Sequence, residues 1–156
     1  MLYALLTVLL VALDQAVKYL VRAHIPLGGS VPFLPHVMDF TYVQNTGAAF
    51  SIFAQHTWLL TLLSLAVSVL LILALVRGWV TRTRPGRLCL TLVLAGAVGN
   101  LIDRALFGFV TDMFETLFIR FAVFNVADIC VVVGGIGFCA YYLFLYDKLE
   151  GKEEPR

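Results

Sequence analysis

Asp14 and Lys18, then Asn100, Asp103 and Arg104, then Asn125 and Asp128 stand inside runs of residues that are otherwise almost wholly apolar. An ionisable group at the centre of a membrane span costs at least about 2.5 kcal/mol, so each one demands a physical reason. The spacing supplies one. Residues three and four apart share a helix face, and Asp14 with Lys18, Asn100 with Asp103 and with Arg104, and Asn125 with Asp128 are all so placed. Each of three helices can therefore turn a polar patch inward, and the patches can merge into one pocket.

Sorted by partner, the carboxylates fall into two groups. Asp14 has Lys18 one turn away and Asp103 is followed by Arg104, an arrangement that would keep both ionised in structural pairs. Asp112, in GFVTDMF, and Asp128 have no base beside them. If the return of the chain brings them together they cannot both ionise readily, and one shared proton makes an acid and a base from the same residue type. That is the chemistry of an aspartic protease: one carboxylate takes a proton from the attacking water while the other donates to the peptide oxygen. Plainer readings stand beside it. Asp128, near a helix start, fits a cap or a dipole partner, and Asp112 fits a solvated turn. Glu115 is a rival acid if its stretch is helical, and Asp39 fits an open surface. Asn100 and Asn125 would also serve as interhelical hydrogen-bonding groups, with Gly96 and Gly99 allowing close packing.

The elements that must hold these residues follow from composition. Of 156 residues 61% are hydrophobic and 13% charged, against about 25% charged in a soluble chain, so the protein is not a water-soluble globule. A net charge of +1 gives no electrostatic footprint for nucleic acid. Residues 2–22, 58–77, 88–106 and 122–146 are long and apolar enough to span a bilayer. The expectation is a mainly α, integral membrane protein, one domain over 1–156. The first stretch reads as a span rather than a cleaved signal peptide, since nothing basic precedes Leu2 to Leu13 and Asp14 and Lys18 follow it. Between the second and third spans lie Arg77, Arg82, Arg84 and Arg87 with no acid, which predicts that loop and both termini to be cytoplasmic and 23–57 and 107–121 to face outward. On that axis the polar residues gather in the outer halves. In the first outer segment Gly28, Gly29, Pro32 and Pro35 break any helix, VMDFTYVQ alternates as a strand does, and GAAFSIF fits a short helix or another strand on the membrane surface. Cys89, Cys130 and Cys139 lack CxxC spacing, and His24, His36 and His56 lack metal-ligand spacing, so no metal or other cofactor is expected. A proton or ion carrier is the chief rival reading, disfavoured because the inner halves of the spans lack titratable residues. A non-enzymatic helper that recognises lipidated partners is the second.

DQAVK at 14–18, NTGAAFSIF at 45–53, GNLIDR at 99–104 with FVTDMF at 109–114, and FNVAD at 124–128 resemble, in that order, the motif blocks of the type II signal peptidases, the bacterial lipoprotein signal peptidases. The resemblance implies a four-helix membrane aspartyl endopeptidase with a small extracytoplasmic β-cradle and a surface helix, monomeric, in the bacterial cytoplasmic membrane. It implies cleavage of prolipoproteins just before a cysteine that already carries diacylglycerol, contact with membrane lipid, no cofactor, and sensitivity to globomycin-type cyclic peptides. The family's catalytic aspartates fall on Asp112 and Asp128. Asp14, Lys18, Asn45, Gly47, Asn100, Asp103, Arg104 and Asn125 fall on positions that shape the site or hold substrate, with Asn45 expected to reach the substrate backbone and 48–57 to form a lid. Ala95 stands where a second glycine is usual and Met113 where phenylalanine commonly follows the aspartate.

Overall fold

The computed structural model describes residues 1–47 and 57–149. Four helices are long and apolar enough to cross a membrane: α1 (Leu2–His24), α2 (Thr57–Arg77), α3 (Arg84–Phe107) and α4 (Val126–Phe144), followed by a short α5 (Tyr146–Leu149). Among the described residues three strands, β1 (Ser30–Leu34), β2 (Met38–Asn45) and β3 (Val110–Thr116), form one antiparallel sheet in the order β1-β2-β3. The expected surface helix and the expected lid at 48–57 lie outside the described residues, save at Gly47 and at Thr57, which opens α2.

Local chemistry sets the boundaries. α3 begins earlier than its apolar stretch, because Pro85 sits in the first turn, where a missing N–H costs nothing. It ends at Gly108, whose left-handed φ of 76° closes the helix and lets the chain reverse into β3. α4 begins later than its apolar stretch. Phe124 is still held to Phe114 as a β-bridge, and Asn125 takes the extended N-cap conformation before the helix starts at Val126.

β2 and β3 lie far apart in sequence, yet Val43 opposes Asp112 and Asn45 opposes Val110. Between them the chain runs through α2 and α3, so this pairing binds the sheet to the end of the bundle. Val21, Ile25, Tyr42 and Met113 form the apolar seam between α1 and the sheet. Leu75, Leu90 and Leu94 form a second seam at the opposite end. The helices approach through glycine: a Cβ on Gly96 would lie 2.2 Å from the Ala127 carbonyl oxygen, and one on Gly99 2.7 Å from an Asp14 carboxylate oxygen.

Candidate active site

Three helices and the sheet bring the polar residues into one buried network at the sheet end of the bundle. Asp14, Lys18, Asp103, Asp112 and Asn125 are all at most 1% exposed. Lys18, wholly buried on α1, has its Nζ 2.8 Å from Asp14 Oδ2 and donates to Asn100 Oδ1 at 3.0 Å. Asn125 Nδ2 donates to the same Asn100 oxygen at 3.1 Å. With two donors on its oxygen, the Asn100 amide must aim its nitrogen the other way, and it donates to Asp128 Oδ1 at 2.8 Å.

Asn125 is the hinge of the arrangement. Its Nδ2 also donates to Asp112 Oδ1 at 2.7 Å, while its backbone N–H donates to Asp128 Oδ2 at 3.1 Å. In return its Oδ1 accepts the Asp128 N–H at 2.9 Å, completing a capping box on α4. The capping reading of Asp128 therefore holds, and the residue still presents a carboxylate to the site. Asp112 is anchored at its other oxygen by Asn45 Nδ2 at 2.9 Å, and Asn45 is itself fixed by the Gly47 N–H on its Oδ1. Each of the two aspartates thus holds one N–H donor per oxygen, with lone pairs to spare. Burial, and next the neighbouring Asp128, push the Asp112 carboxyl up to about 6, against the opposing pull of Asn45 and Asn125.

A cleft of about 460 Å³ opens onto Asp112, walled by Val43, Gln44 and Asn45 of β2 and by residues 120–123 of the return to α4. Asp112, itself buried, is one of its lining residues, and Asp128 is half-buried.

Asp14 and Asp103 serve the frame. Asp14 Oδ1 accepts the Ala127 N–H at 2.9 Å and so holds the start of α4 against α1. Asp103 Oδ2 accepts the Thr111 N–H at 2.8 Å and so holds the residue before Asp112. The expected pairing of Asp103 with Arg104 does not form, because successive helix residues point to different faces. Asp103 instead has Lys18 at 3.7 Å and Arg22 at 3.6 Å. Arg104 turns toward α2, donating to Gly47 O at 3.2 Å and reaching Ser64 Oγ at 3.4 Å. Glu115 lies on a strand rather than a helix, so the pleat carries it to the face opposite Asp112, where Thr41 hydrogen-bonds it.

Sequence reading missed three participants. Gln15 Nε2 reaches Gly99 O at 3.0 Å, Asp14 Oδ2 at 3.1 Å and Asp103 Oδ1 at 3.2 Å. Arg22 and Thr111 are the others. The four-residue stripe through Asp14 and Lys18 leads directly to Arg22, whereas nothing local marks Thr111. Among the described residues no three His, Cys, Asp or Glu side chains converge as a metal set.

Membrane-length helices that converge on aspartates and asparagines beneath a small sheet define a multi-pass membrane protein with an acid-bearing polar site. Residues 6–144 match the family described as Signal peptidase (SPase) II. The lipoprotein signal peptidase of Enterococcus faecalis (strain ATCC 700802 / V583) is 39% identical over 151 residues, 97% of this chain and 92% of that protein. That of Clostridioides difficile (strain 630) is 39% identical over 152 residues, 95% of this chain and 99% of that protein. A solved bacterial membrane enzyme, determined by the in meso method at 2.3 Å, shares the fold with a TM-score of 0.84 at 28% identity, covering 99% of this chain and 93% of that one. The chain belongs to the signal peptidase II family and is a membrane-embedded peptidase of bacterial type.

Proposed function

We propose that this protein removes the signal peptide from diacylglyceryl-modified prolipoproteins, cutting on the N-terminal side of the lipidated cysteine, with Asp112 and Asp128 as the catalytic pair. The observation that carries the assignment is the position of Asn125, which bonds one aspartate through its side chain and the other through its backbone. The two carboxylates are thereby held as neighbours, and Asp112 lines a cleft of about 460 Å³.

The reaction follows from that placement. A water between the aspartates gives a proton to the ionised carboxylate as its oxygen attacks the scissile carbonyl carbon, while the protonated partner donates to the carbonyl oxygen. Collapse of the tetrahedral intermediate breaks the C–N bond as one of its two hydroxyls returns a proton to the dyad, and the departing amine of the lipidated cysteine takes the dyad's other proton. One carboxylic acid and one amine form from peptide and water, and the dyad returns to its shared-proton state. The pair titrates as one coupled site. Burial and the neighbouring Asp128 raise the Asp112 carboxyl to about 6, which favours retention of one proton on the pair. No step calls on a metal or an organic cofactor.

The site faces the extracytoplasmic side and both termini face the cytoplasm, on the strength of the arginine-rich loop between α2 and α3. The acyl chains of the substrate then stay in the outer leaflet while its peptide enters the cleft. Asn45, already bonded to Asp112, sits on the cleft wall, where a substrate backbone would pass. Globomycin-type cyclic peptides should stop cleavage, and the proposed acting unit is a monomer. The test follows cleavage of a diacylglyceryl-modified precursor by purified protein in detergent or lipid, beside Asp112→Asn and Asp128→Asn. Each variant should lose at least about a thousandfold in rate. Normal cleavage by either removes the assignment.

A further inference from the structure

Arg22 plays no part in the proton exchange above, yet it touches the machinery on two sides. Its Nη1 donates to Thr111 Oγ1 at 2.8 Å and lies 3.6 Å from Asp103 Oδ2, while its guanidinium carbon sits 4.5 Å from the centre of the Phe107 ring. Resting on the dyad reading, we propose that Arg22 is a positioning residue for the reaction. It ties the sheet-proximal end of α1 to the strand that carries Asp112, and it holds Lys18 on the Asn100 side of the network.

The first half rests on Thr111, wholly buried and immediately before Asp112. Its backbone N–H is held by Asp103 and its hydroxyl by Arg22. The residue is thus pinned at two points from two helices, and rotation of the strand about its own axis is blocked. A displacement of about 1 Å in a reacting group costs roughly a hundredfold in rate, so a brace one residue from Asp112 is kinetically significant.

The second half concerns charge. Asp103 stands between Lys18 and Arg22 at nearly equal distances, whereas Lys18 has closer partners in Asp14 and Asn100. While Arg22 answers Asp103, Lys18 stays on Asn100, and Asn100 keeps its nitrogen on Asp128. The charged groups around the site are Asp14 and Lys18 of α1, Asp103 and Arg104 of α3, Asp112 of β3 and Asp128 of α4. Glu115 is turned to Thr41, His24 bonds the Leu20 carbonyl, and Arg120 lines the cleft. With one proton shared by the dyad, Lys18, Arg22 and Arg104 match the negative charges of Asp14, Asp103 and the dyad one for one. Without Arg22, Asp103 draws Lys18 away from Asn100. Lys18 is a cation whose field favours ionised Asp112, so Asp112 then keeps its proton to higher pH.

The experiment measures kcat, KM and the rate–pH curve for full-length protein in lipid, on a diacylglyceryl-modified precursor, for Arg22→Gln, Arg22→Lys and Thr111→Val. Arg22→Gln should lose about tenfold or more in kcat with KM within about twofold, and its curve should move to higher pH by about half a unit or more. Arg22→Lys should restore the position of the curve but not the full rate, since an ammonium lacks the planar fork. Thr111→Val should lose rate with no movement of the curve. A wild-type kcat and curve in Arg22→Gln overturns the inference, as does a loss confined to KM. Should Arg22→Gln fail to fold, Thr111→Val and Arg22→Lys decide alone: wild-type rates in both overturn it. Asp112→Asn and Asp128→Asn run alongside. If they cleave normally the dyad reading falls, whereas if they are dead and the Arg22 variants are wild-type only this inference falls.

Discussion

Asn125 uses every hydrogen-bonding atom of its side chain. Two N–H groups go to Asp112 and Asn100, and the oxygen accepts from Asp128. Asn125→Asp keeps the shape and reverses the chemistry, placing an acceptor against the acceptors of Asp112 and Asn100. The expected cost is about 3 kcal/mol of stability, with at least a hundredfold loss of cleavage, read by thermal unfolding and by kcat. Asp112 adds a pH signature. Its folded-state carboxyl is raised to about 6 from the ordinary 3.8, so its contribution to stability is full below the ordinary value and is lost as pH rises through about 6. The melting difference between wild type and Asp112→Asn should therefore swing in favour of the variant between about pH 4 and 6, whatever constant offset the altered hydrogen bonds introduce. A flat difference across that window would contradict the raised value. The Asp14–Lys18 pair was legible because both partners lie on one turn of one helix. Asn45 on Asp112 was not, because it depends on strand pairing across 67 positions. Arg104 misled for a related reason: adjacency in sequence is divergence on a helix.

Helix packing rests on a few glycines that differ sharply in what surrounds them. A Cβ on Gly96 would meet the Ala127 carbonyl oxygen at 2.2 Å, and one on Gly134 the Cys89 carbonyl oxygen at 2.7 Å, both rigid backbone atoms. Gly135, next along α4, has nothing within 4 Å. Gly96→Ala should lower stability by roughly 1 to 3 kcal/mol, and activity with it by shifting the start of α4. Gly135→Ala should leave the melting temperature unchanged or slightly raised. The four helices were plain from apolar length alone, since hydrocarbon thickness sets that length. Their ends were less plain: a proline in a first turn, a left-handed glycine and a cap residue fix them, and none is apolar. The strand carrying Asp112 could not be separated from a helix or a turn by pattern, because it pairs with a partner two membrane-length helices away.

In the molecule as a whole, α1, α3, α4 and the sheet share the polar network, while α2 packs on α3 and meets it through Ser64 near Arg104. The orientation proposed for the bundle is directly testable. A single cysteine placed in the 82–87 loop, in a background without Cys89, Cys130 and Cys139, should react with an impermeant maleimide only after the membrane is permeabilised. Labelling of intact cells would invert the proposed topology. The buried ion pairs also bear on biogenesis. Lys18 has Asp14 on its own helix, whereas Asp103 finds its cations, Lys18 and Arg22, only on α1, so a chain leaving the translocon carries Asp103 without them until the first and third segments meet. On the proposed dyad, assembly of the bundle and acquisition of catalytic competence become one event.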